Sequence, residues 1–185
     1  MSIYSLKPKF QNLLRPIVQQ LVRLGVTANQ VTLLACGVSV LLGAILCWQG
    51  MARPLLFLAL PMWMFLRMAP NAIDGMLARE FNQKSALGAY LNELTDVVSD
   101  AALYVPFALV APFTLWQISA FIFVAALSEY AGVLGLMVGA SRRYDGPLGK
   151  SDRAFIFGTL GFVVGLGFTL PVWSGWGIWL LVLLT

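Results

Sequence analysis

The sequence predicts an all-α integral membrane protein, six transmembrane helices preceded by an amphipathic interfacial helix. Three observations predict it. Of the 185 residues, 59% are hydrophobic and 11% charged, far more apolar than a soluble domain. The charges also cluster, leaving apolar segments at 30–49, 54–78, 86–111, 114–140, 152–170 and 172–185, on the scale of about 20 residues per bilayer crossing. Finally, ten of the twelve Lys and Arg residues fall in the amino-terminal segment, the 79–84 connection or the 142–153 connection. Under six spans these regions share one side, so the positive-inside rule places both termini in the cytoplasm.

The elements follow in chain order. Ile3, Leu6, Phe10, Leu13, Leu14, Ile17 and Leu21 form one helical stripe, with Lys7, Lys9, Arg15 and Arg23 on the remainder. This is the pattern of a helix lying at the interface, basic side towards anionic head groups. Gly25 ends it, and Thr27 or Asn29 caps the next helix. Pro70 predicts a kink in the second span and a freed carbonyl just before Asn71. The third segment reads as a helix despite its acids, and the last is short for a full crossing. No cleavable leader is evident and no polar linker separates domains. Residues 1–185 therefore read as a single transmembrane domain, with 1–25 its juxtamembrane amphipathic helix.

The polar residues inside the apolar helices carry the chemistry. Asn71 and Asp74 are three apart, and Asn92, Asp96 and Asp100 follow at intervals of four, so each set lines one helix face. Ionisable groups at membrane depth are expensive and default to a functional reading, here a site for a cation and an anionic substrate. The orientation puts them one to several turns below the cytoplasmic surface, beneath a water-filled cavity opening inward. Oxygen donors of this kind suit Mg²⁺ or Mn²⁺. The chain has no histidine, which excludes histidine acid–base chemistry and His-ligated zinc. Cys36 and Cys47, eleven apart on one helix, lie about 16 Å from each other and read as ordinary buried thiols.

The string Asn71–Ala72–Ile73–Asp74–Gly75–Met76–Leu77–Ala78–Arg79, followed by Gly88, Asn92 and Asp96, resembles the motif of the CDP-alcohol phosphotransferase (CDP-alcohol phosphatidyltransferase) family. That motif runs aspartate, two residues, aspartate–glycine, two residues, alanine–arginine, about eight residues, glycine, three residues, aspartate, three residues, aspartate. Asp74, Gly75, Ala78, Arg79, Gly88 and Asp96 match it, while Asn71 and Asn92 stand at its first and third aspartates. The six-span layout and basic amino-terminal helix are similar too. The resemblance implies transfer of a phosphatidyl-type group from a CDP-linked lipid such as CDP-diacylglycerol to a small alcohol, with release of CMP, in phospholipid synthesis. It implies a metal set of Asn71, Asp74, Asn92 and Asp96, to which Asp100, a turn beyond, is added as a partial compensation for the lost charge, and diphosphate or nucleotide contacts from Asp74, Gly75, Ala78, Arg79 and Gly88. Asp96 is then the base for the attacking hydroxyl. The string from Asp96 to Ala102 resembles the branch of the family that accepts inositol phosphate. Two amides in place of carboxylates remove two negative charges, so weaker or single-cation occupancy is expected.

A second cluster runs from Ser141 to Arg153. Its Gly-Pro turn, a Ser151 cap and the cations Lys150 and Arg153 resemble the family's pocket for the acceptor's phosphate, whereas Arg142 and Arg143 fit plain positive-inside charge. Glu129 in the fourth span needs a partner, and Arg67 offers the charge. Glu93 reads as a surface acid; Asn29 and Thr32, in a string similar to the family's cytosolic entrance, read as a helix cap, with a role near the nucleotide as the alternative. The tryptophans at 48, 63, 116, 173, 176 and 179 read as interface anchors. Gly132 and Gly135 permit close helix packing and a homodimer. The expected partners are the CDP-lipid, the small alcohol acceptor and the bilayer, with no nucleic acid; the expected location is the cytoplasmic (inner) membrane, with the active site open to the cytoplasm. Two further readings are a binding-competent but weakly active homologue, because of Asn71 and Asn92, and a cation-coupled transporter, which lacks the expected paired repeats.

Overall fold

A computed structural model of the chain describes residues 6–139 and 147–185. Ile3 and the Ser141–Gly146 part of the basic cluster lie outside the described residues. The described chain is all-helical: α1 (Leu6–Arg23), α2 (Ala28–Gln49), a 3₁₀ turn (Pro54–Leu58) leading into α3 (Ala59–Leu66), α4 (Met68–Glu80), α5 (Ala86–Tyr104) with a 3₁₀ extension (Val105–Leu109), α6 (Leu115–Met137), α7 (Lys150–Gly165) and α8 (Trp173–Leu184). Three helical stretches are long and apolar enough to cross a bilayer: Ala28–Gln49, Pro54–Glu80 and Leu115–Gly135. The other three expected spans correspond to α5, α7 and α8. Of these, α5 carries Glu93, Asp96 and Asp100, α7 has 16 residues and α8 has 12.

Local chemistry sets the helix starts. Thr27 and Gln30 bond reciprocally at the head of α2, the Gln30 amide N–H donating to Thr27 Oγ1 at 3.3 Å and the Thr27 N–H to Gln30 Oε1 at 2.9 Å. Thr114 and Gln117 repeat the device at α6. Thr27 is thus the cap of α2, and Asn29 lies inside it. In α7 the capping acceptor is Asp152, which takes the Gly149 N–H at 3.0 Å, and not Ser151. The second apolar stretch breaks at Arg67, between α3 and α4. That break sits beside Leu66, the residue four before Pro70, whose carbonyl the proline can neither bond nor approach.

The chain forms two compact units, one of Met1–Val38 with Phe65–Asp96, the other of Ser39–Met64 with Val97–Thr185. In the first, Leu14 and Val18 of α1 pack with Ala28 and Val31 of α2 and with Ile73, Met76 and Leu77 of α4. The predicted stripe on α1 is therefore divided, with Leu14 buried and Leu13 and Ile17 exposed. Arg15 pairs with Glu80 at 2.7 Å, a partly exposed contact worth well under about 1 kcal/mol.

The second unit is built on aromatics. Phe57, Phe107, Phe121, Phe157 and Tyr104 are buried together, with Phe57 edge-on to Phe107 at 5.6 Å and Phe107 edge-on to Phe157 at 5.2 Å, the offset geometry that aromatic quadrupoles favour. Glycines allow the helices to close. A Cβ on Gly43 would run into the Ala102 carbonyl, and one on Gly165 would meet Leu58. Trp63 departs from the anchor pattern, its indole N–H donating to Ser39 Oγ at 2.9 Å, whereas Trp48, Trp116, Trp173 and Trp176 are exposed.

Candidate functional site

The first unit contains a cavity of about 490 Å³, the size of a small-molecule site. From α4 it takes Asp74, Gly75, Ala78 and Arg79; from α5, Gly88, Asn92 and Glu93. Helix α2 adds Asn29 and Thr32, and the α4–α5 connection adds Gln83, Lys84 and Ser85. Helical spacing explains why α4 presents these side chains together, since 74, 75, 78 and 79 share roughly one face.

The connection is folded into the site by its own polar groups. Asn82 takes the left-handed conformation at φ 57°, which asparagine tolerates. Gln83 Oε1 then accepts the Ala28 N–H at 2.7 Å, tying the loop to the first turn of α2. Ser85 Oγ accepts the Gly88 N–H at 2.9 Å and so caps α5. Gly88 leaves room for Asn29: a Cβ there would lie 2.8 Å from Asn29 Oδ1, so that side chain would have to shift. Gly75 leaves room for Arg79, since a Cβ at Gly75 would lie 2.7 Å from Arg79 Nη2.

Asp74 is the buried carboxylate of the cavity, 7% exposed. Thr32 Oγ1 donates to its Oδ2 at 2.8 Å, a role beyond that of a helix-start residue. Asn92 Nδ2 donates to Glu93 Oε1 at 3.4 Å, so Glu93 belongs to the lining and not to a plain surface. Arg79 and Lys84 supply cationic donors suited to phosphate.

The other predicted residues are placed differently. Asn71 is exposed on α4 and does not line the cavity. Asp96 lies one turn beyond Asn92 and accepts a bond from Arg67 Nη2 at 3.2 Å. Asp100 belongs to the second unit, where with Tyr104, Glu129 and Arg153 it lines a space of only about 10 Å³. Arg67 therefore pairs with Asp96, and Glu129 has another partner: Arg153 Nη2 donates to Glu129 Oε1, while Arg153 Nη1 donates to the Leu148 carbonyl. Arg153 is 2% exposed and its Nε has no hydrogen-bond partner among the described residues. Lys150, half-buried, is the first residue of α7.

Among the described residues, no three or more Asp, Glu, Cys or His side chains gather as a metal shell. The cavity's hard oxygen donors, Asp74, Asn92 and Glu93, suit a single Mg²⁺- or Mn²⁺-like cation. They do not amount to the carboxylate-rich set of a two-cation centre.

Six of the motif residues, Asp74, Gly75, Ala78, Arg79, Gly88 and Asn92, thus line one cavity, and the family's sequence model, described as CDP-alcohol phosphatidyltransferase, matches residues 25–185. The chain belongs to the CDP-alcohol phosphatidyltransferase family. It is 47% identical over 176 residues to the inner membrane protein YnbA of Escherichia coli (strain K12), covering 95% of this chain and 85% of that protein. Its fold is similar to that in the crystal structure of Mycobacterium tuberculosis phosphatidylinositol phosphate synthase (PgsA1) in complex with manganese and citrate. The TM-score is 0.71 at 22% identity, over 91% of this chain and 81% of that one. The family membership and the apolar helices mark the chain as a membrane protein of a phospholipid-synthesis transferase family.

Sequence reasoning missed Gln83, Lys84, Ser85 and Glu93 as lining residues, and ranked a cap above a site role for Asn29 and Thr32. The 83–85 loop and Glu93 carried no periodic signal, and only the fold of the connection brings them to the cavity.

Proposed function

We propose that the protein transfers a phosphatidyl-type group from CDP-diacylglycerol to a hydroxyl of a small polyol or polyol phosphate, releasing CMP. One observation carries this reading: Asp74, Gly75, Ala78, Arg79, Gly88 and Asn92, scattered over two helices, line the same 490 Å³ cavity. The acceptor oxygen forms a bond to the phosphorus on the lipid side, and the bond from that phosphorus to CMP breaks. In this reading the hydroxyl proton passes to Asp96. Arg79 and Lys84 hold diphosphate oxygens, while Gly75 and Gly88 keep the cavity open to the nucleotide. A divalent cation, Mg²⁺ or Mn²⁺, held by Asp74 with Asn92 and Glu93, would neutralise diphosphate charge and polarise the phosphorus. By the motif resemblance Lys150 would bind the acceptor's phosphate, and Arg153, tied to Leu148 and Glu129, holds the start of α7 that carries it.

The layout belonging to this reading is a single domain of six spans with α1 at the interface. The cavity then opens to the cytoplasm, both termini are cytoplasmic, and Gly132 and Gly135 favour a homodimer. The test is CMP release from CDP-diacylglycerol by purified protein with Mg²⁺ or Mn²⁺ and a panel of polyols and polyol phosphates. Release with one acceptor, abolished by Asp74→Asn, is the expected result; no release with any acceptor overturns it. A second reading, a CDP-lipid-binding homologue with little turnover, is favoured by the exposure of Asn71 and the uncharged amide of Asn92. Tight CDP-lipid binding without CMP release supports it.

A further inference from the structure

Arg67 is an expensive residue where it stands. It lies inside the apolar stretch Pro54–Glu80, is 6% exposed, and keeps its charge at any accessible pH. Its spacing puts it on the same helical face as Asn71, Asp74 and Ala78, since 67, 71, 74 and 78 follow at intervals of four, three and four. Its carbonyl accepts the Asn71 N–H at 3.3 Å, so the two residues are joined through the first turn of α4. Its guanidinium reaches Asp96 Oδ1 at 3.2 Å, with Asp96 26% exposed and Arg67 8% exposed by side chain.

These facts form one charge balance. The chain carries uncharged amides at Asn71 and Asn92, and the carboxylate it retains at Asp96 is engaged by a buried guanidinium. A cation that needs Asp96 as a ligand must compete with a positive charge already bound there, in a medium that screens poorly. We propose that the Arg67 guanidinium replaces one divalent cation in this protein, serving as the permanent counter-charge of Asp96 and leaving at most one metal site, on the Asp74 side of the cavity. Arg67 is then a positioning residue, acting through Asp96. The inference deepens the transferase reading and rests on it for the role of Asp96, yet its test is a metal count and not turnover.

Mn²⁺ alone is titrated into purified protein in detergent, and bound Mn²⁺ is read by electron paramagnetic resonance. The wild type is expected to bind no more than one Mn²⁺ per chain. N71D/N92D restores the carboxylates while Arg67 still occupies Asp96, so any further site stays weak. R67Q/N71D/N92D frees Asp96 and gains a Mn²⁺ site at least about ten-fold tighter. Two Mn²⁺ per chain in the wild type overturns the inference, as does equal Mn²⁺ binding by the double and triple variants. Tryptophan-monitored melting verifies that the triple variant is folded; where it is not, the wild-type count decides. CMP release is measured separately: an inactive protein that gains the site on loss of Arg67 counts against the transferase reading and for the charge replacement.

Discussion

Asp74 and Thr32 show how the site is assembled from single side chains. A carboxylate that is 7% exposed within an apolar helix needs donors, and the Thr32 hydroxyl gives one at 2.8 Å. Thr32→Val removes that donor while keeping the volume close. It should lower stability by about 1.5–3 kcal/mol, the value of a hydrogen bond to a charged group, whereas Thr32→Ser should not. Thermal unfolding in detergent compares the two, and a Thr32→Val protein as stable as the wild type would refute the pairing. For Asp96, assigned as the base, Asp96→Asn should lower CMP release by about 10²–10⁴-fold, measured at saturating acceptor. Reverting Asn71 and Asn92 to Asp is predicted to affect them unequally. Asn92 lines the cavity and Asn71 is exposed beyond it, so Asn92→Asp should tighten Mn²⁺ binding and Asn71→Asp should change it little. Equal effects would mean that Asn71 turns inward when the site is filled.

Helix by helix, much of the arrangement was legible in the sequence, and the exceptions share a physical cause. Spacing of three and four tells which residues can share a face, while the motif resemblance groups Asp74, Gly75, Ala78 and Arg79, which line the cavity from α4; Asn71, grouped with Asp74 by spacing, does not. The same logic cannot say which helix lies opposite. By charge Arg67 suits Glu129, whereas the fold gives Asp96 to Arg67 and Arg153 to Glu129. The α1 stripe likewise reads as one apolar face, yet Leu14 and Val18 pack within the first unit while Leu13 and Ile17 stay exposed. Pro70 predicts a kink just before Asn71, whereas the chain breaks at Arg67, because the proline acts on the residue four before it. Close approach is equally invisible in sequence, and two glycines of α2 test it. A Cβ on Gly43 meets the Ala102 carbonyl, while one on Gly37 meets nothing within 4 Å. Gly43→Ala should therefore destabilise by about 1–3 kcal/mol, the usual cost of overpacking. Gly37→Ala should be neutral or stabilise by up to about 1 kcal/mol through lost chain entropy. Similar melting temperatures for both variants would show that α2 and α5 are not in contact at Gly43.

At the scale of the whole molecule, charge placement argues for an orientation that no single helix determines. Lys9, Arg15 and Arg23 on α1, Lys84 in the α4–α5 connection, and Lys150 and Arg153 at the start of α7 come to one side if the chain crosses six times. The opposite connections hold only Arg53. Among the described residues, three helical stretches are long and apolar enough to cross by themselves. The acid-bearing α5 and the shorter α7 and α8 would cross as parts of a bundle, with the bilayer thinning or the helices tilting to match. The layout also accounts for the cavity, whose charged lining of Asp74, Arg79, Lys84 and Glu93 is tolerable near a water-filled cytoplasmic mouth and costly at mid-membrane. A cysteine scan decides the matter. In a background with Cys36 and Cys47 changed to Ser, single cysteines at Ala52 and Thr114 should react with a membrane-impermeant maleimide added outside intact cells. Cysteines at Asn82 and Thr185 should react only after the membrane is opened. Because six crossings fix all four outcomes together, a labelled Asn82 position in intact cells would invert the orientation, and with it the side from which CDP-lipid reaches Asp74. Labelling at Thr185 alone would leave the cavity where it is and remove one crossing after α6, most simply α8, whose 12 residues span about 18 Å.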